Sequence, residues 1–156
     1  MDFKSTFLNA KIEEEVYIEK PKGFLLSENT DYVCKLKKAL YGLKQAPRAW
    51  FSRLDNYLKQ QGFKRGATEI NLYLKIEDVN MIIVFVYVDD IIIGSNLQIL
   101  SVNFASEMKK EFKMSMLGEL TFFLGLQVYQ TDKGIFISQT KYIKTCLKDL
   151  RWKTQN

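Results

Sequence analysis

A chain of 156 residues, 47% hydrophobic and 26% charged, has the make-up of one globular domain or part of one, and can bury roughly 70% of its unfolded surface. Histidine is absent, which excludes histidine-dependent triads and histidine-liganded zinc and leaves carboxylates as the chemical groups at hand. The net charge of +5 is uneven: residues 35–65 hold nine basic side chains against Asp55 alone, a net of +8, so the remainder carries −3.

The chain opens on Asp2, Lys4 and Thr6 alternating with Phe3, Ser5 and Phe7, which predicts a strand that starts without lead-in residues, like a cut end. An acidic cluster, Glu13–Glu15, runs into Val16-Tyr17-Ile18, and Lys20-Pro21-Lys22-Gly23 reads as a turn. Residues 27–31 read as a loop and Tyr32–Leu36 as a short strand. The clearest helix follows. Pro47 suits its first turn, Ala46, Trp50, Leu54, Tyr57 and Leu58 form a 3.6-period stripe, and Gly62 closes it. Arg48, Arg53 and Lys59 fall off that stripe and read as solvated.

Leu72–Ile76 and Met81–Val88 predict a hairpin around a turn at Glu77–Asn80. Asn96 is placed to cap a second helix, with Leu97, Leu100, Phe104, Met108 and Phe112 sharing its core face. Leu120–Tyr129 alternates as one strand, with Leu120, Phe122, Leu124, Leu126 and Val128 on one side, and Asp132-Lys133-Gly134 turns it into Ile135–Ile137. Ser138 is set to cap a last helix with Ile143, Cys146, Leu147 and Leu150 inward, before the polar tail Arg151–Asn156. Cys34 and Cys146 form no CxxC and read as reduced thiols of an intracellular protein.

The stretch Met81–Ser95 is the most telling. Its apolar run stops at Asp89-Asp90 and resumes at Ile91–Ile93, too short and too polar to span a bilayer. Its β-branched and aromatic content predicts a second hairpin with both aspartates at the tip. Two carboxylates about 4 Å apart repel by roughly 4 kcal/mol at an effective dielectric of 20. Such a pair persists at a wet turn or around a cation, and carboxylate oxygens suit a hard ion such as Mg²⁺. A basic segment alongside paired carboxylates suggests a polyanion plus a metal; a solvated lysine-rich helix face is the alternative. The order of elements gives an α+β fold, a three- or four-stranded antiparallel sheet covered on one face by two helices. Asp2 then lies beside Asp89 if their strands are neighbours.

Four stretches in series, MDFKSTFLN, LYGLKQAPRAW, YVDDIIIGS and GELTFFLGLQV, resemble the reverse transcriptase of copia-type (Pseudoviridae) LTR retrotransposons. EEEVYIEKPKGF, VCKLKKALYGL and GIFISQTKYI extend the resemblance over almost the whole chain. It implies a partial reverse transcriptase domain over residues 1–156: a palm-like sheet with partial fingers, a C-terminal hairpin plus helix, and the start of the thumb connection. The implied activity is RNA-directed DNA polymerisation in a Pol polyprotein, with RNA or DNA template, primer and dNTPs as partners, no membrane, and a location in cytoplasmic virus-like particles. Asp2, Asp89 and Asp90 match the catalytic carboxylates that hold two Mg²⁺ ions, with Mn²⁺ as an alternative, for in-line displacement of pyrophosphate by the primer 3′-hydroxyl. Phe7 matches the aromatic steric gate against a 2′-hydroxyl. Tyr41 and Gly42 match the segment under the new base pair, where a missing Cβ lets backbone approach. Lys44, Gln45 and Pro47 match the template side, and Phe123, Leu124 and Gly125 the primer grip; Leu124 reads equally as core.

The chain departs from the family, which more often has Val, Thr, Ala and Gly where Phe3, Ser5, Thr6 and Ala10 stand. Phe3 puts a bulky ring beside Asp2. The resemblance also implies truncation at both ends, with upstream fingers, most of the thumb and RNase H absent. The competing expectation is therefore a non-catalytic retrotransposon remnant that binds nucleic acid at most weakly through residues 35–65, and for catalysis by this polypeptide alone it is the favoured one.

Overall fold

The computed structural model of the chain describes residues 1–21, 23 and 32–150, and within them the fold is mixed α/β with three α-helices and antiparallel sheets. It divides into two units, Met1–Met116 and Leu117–Asn156. The strands of the first are β1 (Asp2–Phe3), β2 (Tyr17–Ile18), β3 (Cys34–Lys35), β4 (Lys64–Arg65), β5 (Leu72–Glu77), β6 (Asn80–Tyr87), β7 (Asp90–Ser95) and β8 (Met114–Ser115). Its helices are α1 (Ala46–Gln60) and α2 (Gln98–Glu111). Six strands form one antiparallel sheet in the order β4-β5-β6-β7-β1-β8, while β2 pairs with β3. The sheet is thus wider than the three or four strands expected. Three of its members are two residues long, too short to leave an alternating pattern in the sequence.

Alternation along β6 decides which face is covered. Ile82, Val84 and Val86 are buried with Tyr73, Ile91 and Phe3, and against them pack Trp50, Leu54 and Leu58 of α1 and Phe104 and Met108 of α2, with Phe112. Each such side chain contributes about 1.5–3 kcal/mol by leaving water. Both helices of this unit share that face, as expected. Pro47 lies in the first turn of α1, and Gly62, at φ 86°, donates to the Lys59 carbonyl at 3.0 Å to close the helix.

Several expectations are corrected. The first strand ends at Phe3, because Ser5 turns left-handed at φ 53° and a 3₁₀ turn, Thr6–Asn9, follows. Asn96 does not cap α2: its side chain accepts from Met81 N and donates to Val79 O, tying the ends of β6 and β7, and Leu97 is 47% exposed. In the second unit the single strand expected over Leu120–Tyr129 is two, β9 (Phe122–Phe123) and β10 (Leu126–Thr131), folded back at Leu124 and Gly125 with φ 48° and 86°. β11 (Gly134–Ser138) completes that sheet and α3 (Thr140–Asp149) follows. Ser138 is the last residue of β11 and caps nothing. Ile143 and Leu150 are exposed rather than inward, because this small unit offers α3 no core to pack on: Val128 is its one buried residue among those described. The loop 27–31, Lys22 of the preceding turn and the tail 151–156 lie outside the described residues. No helix among the described residues is long and apolar enough to cross a membrane.

Candidate active site

β1 lies between β7 and β8, with Asp2 opposite Asp90. Met1 and Ile91 exchange both backbone bonds at 2.8 Å, so Asp2 and Asp90 form the adjacent non-hydrogen-bonded pair, whose Cα atoms lie about 4.5 Å apart with side chains on one face. Phe3 N donates to Asp89 O at 2.9 Å, which locks this register. The neighbouring strands thus bring residue 2 beside residues 89–90. The hairpin tip itself is Val88-Asp89; Asp90 already pairs with Tyr87 inside β7, a correction to the expectation of both aspartates at the tip.

The field here is negative. Burial pushes the Met1 amino group below its ordinary pKa, against the opposing pull of the Asp90 and Asp2 charges. Asp89 Oδ1 is buried and accepts no hydrogen bond from the described residues, a costly state for a carboxylate oxygen unless a cation satisfies it. Among the described residues no three Asp, Glu, Cys or His side chains are gathered tightly enough to enclose a metal by themselves. Mg²⁺ asks for less, taking one or two carboxylates and completing its shell with water and substrate phosphates. The donor set therefore fits such an ion.

Beneath the carboxylates is an aromatic floor. The Phe3 ring meets Trp50 edge-on at 4.6 Å and Phe112 at 5.4 Å, and Trp50 meets Phe112 at 5.5 Å. The bulky ring beside Asp2 is thus absorbed into the core, and the register of β1 holds. Trp50 Nε1 donates to Val88 O at 3.3 Å, which supports a β-branched residue held at φ 52° next to Asp89.

Phe7, in the middle of the 3₁₀ turn, stacks obliquely on Tyr41 with centroids 4.6 Å apart, so two residues expected at the nucleotide come together. Phe7 is half-buried against the core, while Tyr41 is 58% exposed. Gly42 sits at φ 90°, and a Cβ added there would meet nothing within 4 Å; within the chain it is backbone conformation, not crowding, that requires glycine. Lys44 and Pro47 are exposed at the start of α1, beside the half-buried Gln45. Phe123 ends β9 and Leu124 and Gly125 form the β9–β10 turn of the second unit, and Leu124, 54% exposed, is not core.

The basic segment is partly spoken for. Lys35 pairs with Glu15, Arg53 with Glu111, and Lys59 and Arg65 approach Asp55. Lys37, Lys38, Lys44, Arg48 and Lys64 have no ion pair among the described residues. A cleft of about 880 Å³ runs along the polar side of α1, past Gln45, Arg48, Ser52 and Asn56, and does not include the aspartates.

Two networks were missed by the sequence reading. Asp55, on the core side of α1, accepts from Tyr73 Oη at 2.8 Å and Lys59 Nζ at 2.7 Å; its one sequence signal is Lys59 four residues on. Arg53 is not simply solvated: it donates to Asn9 O and to Glu111 Oε1 and lies over the Phe112 ring at 5.0 Å. No sequence pattern announces that link, which spans 44 residues.

The whole chain, residues 1–156, matches the family model described as reverse transcriptase (RNA-dependent DNA polymerase). It is 38% identical over 143 residues to the retrovirus-related Pol polyprotein from transposon RE1 of Arabidopsis thaliana, covering 92% of this chain and 10% of that protein. Against the corresponding polyprotein from transposon TNT 1-94 of Nicotiana tabacum the identity is 36% over 156 residues, 98% of this chain and 12% of the relative. A putative transposon Ty5-1 protein of Saccharomyces cerevisiae is 37% identical over 92% of this chain and 47% of its own length. The chain thus spans about a tenth of the first two relatives. No solved structure matches it.

Proposed function

Because this chain belongs to the reverse transcriptase family, among copia-type transposon Pol polyproteins, we propose that residues 1–156 are the palm-centred core of an RNA-directed DNA polymerase, with partial fingers and the start of the thumb connection. The observation that carries this reading is the cross-strand pairing of Asp2 with Asp90 next to the buried Asp89 Oδ1, which has no partner among the described residues. Asp2, Asp89 and Asp90 would hold two Mg²⁺ ions; when bound, these neutralise the triphosphate and lower the pKa of the primer 3′-hydroxyl. The chain's own part is placement and charge. Asp2 and Asp90 hold negative charge on one face, and Trp50 and Phe3 fix the tip from below. Phe7, braced by Tyr41, closes the space a 2′-hydroxyl would need, and Tyr41 and Gly42 underlie the incoming base pair. Lys44, Gln45 and Pro47 face the template, and Phe123, Leu124 and Gly125 hold the primer end.

Primer extension on a poly(rA)·oligo(dT) template with dTTP and Mg²⁺ tests this. Asp89→Asn is expected to lower extension by about a thousandfold or more while leaving the thermal melt in place. An Asn variant that extends as well as the parent chain refutes the assignment.

A second reading draws on Lys37, Lys38, Lys44, Arg48 and Lys64, which have no ion pair among the described residues: a module that binds nucleic acid through these side chains without catalysing extension. No extension, together with primer–template affinity that falls steeply with salt, supports it over the first.

A further inference from the structure

Resting on the polymerase reading above, we propose that Asn9 is a positioning residue for sugar selection: it fixes where the Phe7 ring stands, and Arg53 ties it to α1. Phe7 lies on a 3₁₀ turn of only four residues, which has little hold on itself; Leu8 N donates to Ser5 O and Ala10 N to Phe7 O, both at 3.0 Å. The turn is entered through Ser5 at φ 53°, a left-handed conformation that is unfavourable for a non-glycine residue. Something must hold it there.

The Asn9 amide does so. Its Nδ2 lies 3.2 Å from both Ser5 O and Thr6 O and 3.4 Å from Lys4 O, so one donor group gathers the carbonyls of the turn's own entry. The Asn9 backbone carbonyl accepts from Arg53 Nη1. The Arg53 guanidinium is itself fixed, with Nη2 at 2.6 Å from Glu111 Oε1 and the Phe112 ring beneath it. On the turn's other side Thr6 is fully buried, its hydroxyl 3.5 Å from Phe3 O. The turn is thus tied to α1, to the end of α2 and to β1, which carries Asp2. Steric exclusion is steep in distance, and a displacement near 1 Å at such a position changes rates by about a hundredfold. The donor matters as well: a carboxylate at position 9 would face three carbonyl oxygens with nothing to donate.

The test is equilibrium binding of a matched dNTP and the corresponding rNTP to the full chain on an RNA template with a 3′-dideoxy-terminated primer, which needs no turnover. Asn9→Ala is expected to cut the preference for dNTP about tenfold, with dNTP affinity within about twofold of the parent. Phe7→Ala is expected to lose the preference, and adding Asn9→Ala to it should change nothing further, because Asn9 acts through that ring. Arg53→Lys, which keeps the charge but not the fork, is expected to lose at least about threefold of the preference and serves where Asn9→Ala does not fold. A parent chain that discriminates together with Asn9→Ala or Arg53→Lys variants that discriminate equally overturns the proposal and leaves the polymerase reading standing. A parent chain that binds neither nucleotide removes that reading and this proposal with it.

Discussion

At the scale of single residues, Asp55 shows how a carboxylate survives on the apolar side of a helix. Burial alone pushes its pKa up, but hydrogen bonds from Lys59 and Tyr73, with the charges of Lys59 and Arg65, together hold it below the ordinary value. Burial, then the bond to Asp55, raises the Tyr73 phenol. The signs follow. The Asp55 contribution is fully present above the ordinary carboxylate value of 3.8 and is lost as pH falls through its lowered folded value. The Tyr73 contribution is fully present below the ordinary phenol value of 10.0 and is lost as pH rises toward its raised folded value. Asp55→Ala is expected to cost about 2 kcal/mol in urea unfolding, since it strands the Tyr73 hydroxyl, and to flatten the acid limb of stability. Asp89 and Asp90 stand out in the sequence because two charges interrupt an apolar run. Asp55 could not, because its partner Tyr73 is 18 residues away and on another element.

At the scale of elements, legibility tracks length. The stripe of α1 and the β5–β6–β7 meander follow the sequence pattern closely, since each offers several turns or alternations to read. β1 has two residues, and β9 and β10 together mimic one long alternating strand because the turn at Leu124-Gly125 preserves the apolar spacing. A tight backbone loop between β4 and β5 offers a sharp test. A Cβ added at Gly66 would lie 2.5 Å from Glu69 O, which is backbone and cannot swing away. Gly66→Ala is expected to destabilise by about 1–3 kcal/mol in urea unfolding, and an unchanged midpoint would show that this loop yields freely. Trp50→Phe keeps most of the aromatic floor but removes the bond to Val88 O, and is expected to cost about 1 kcal/mol in the same measurement.

At the scale of the whole molecule, burial is shared unevenly. The first unit holds the core, whereas α3 has no buried residue and β11 is largely exposed. Amides of α3 are therefore expected to exchange with deuterium far faster than those of α1 or β6, and equal protection would mean that α3 has a packing partner. Charge is uneven too. With five basic residues of the 35–65 segment free of ion pairs among the described residues, the slope of log affinity against log salt for a primer–template duplex bound through them is expected to be no steeper than about −4.5. Of the remaining four, only Lys59 shows its partner in the sequence, at Asp55 four residues back; Lys35, Arg53 and Arg65 meet Glu15, Glu111 and Asp55 only once the fold is in place. The proposed function rests on Asp2 of β1, Asp89 of the β6–β7 turn and Asp90 of β7 sharing divalent ions. Titrating the ¹⁵N-labelled chain with Mn²⁺ tests this most directly. The expected result is paramagnetic broadening centred on the amides of Asp2, Asp89 and Asp90 and lost in Asp89→Asn; broadening centred instead on Glu13–Glu15, or unchanged in the variant, would contradict it.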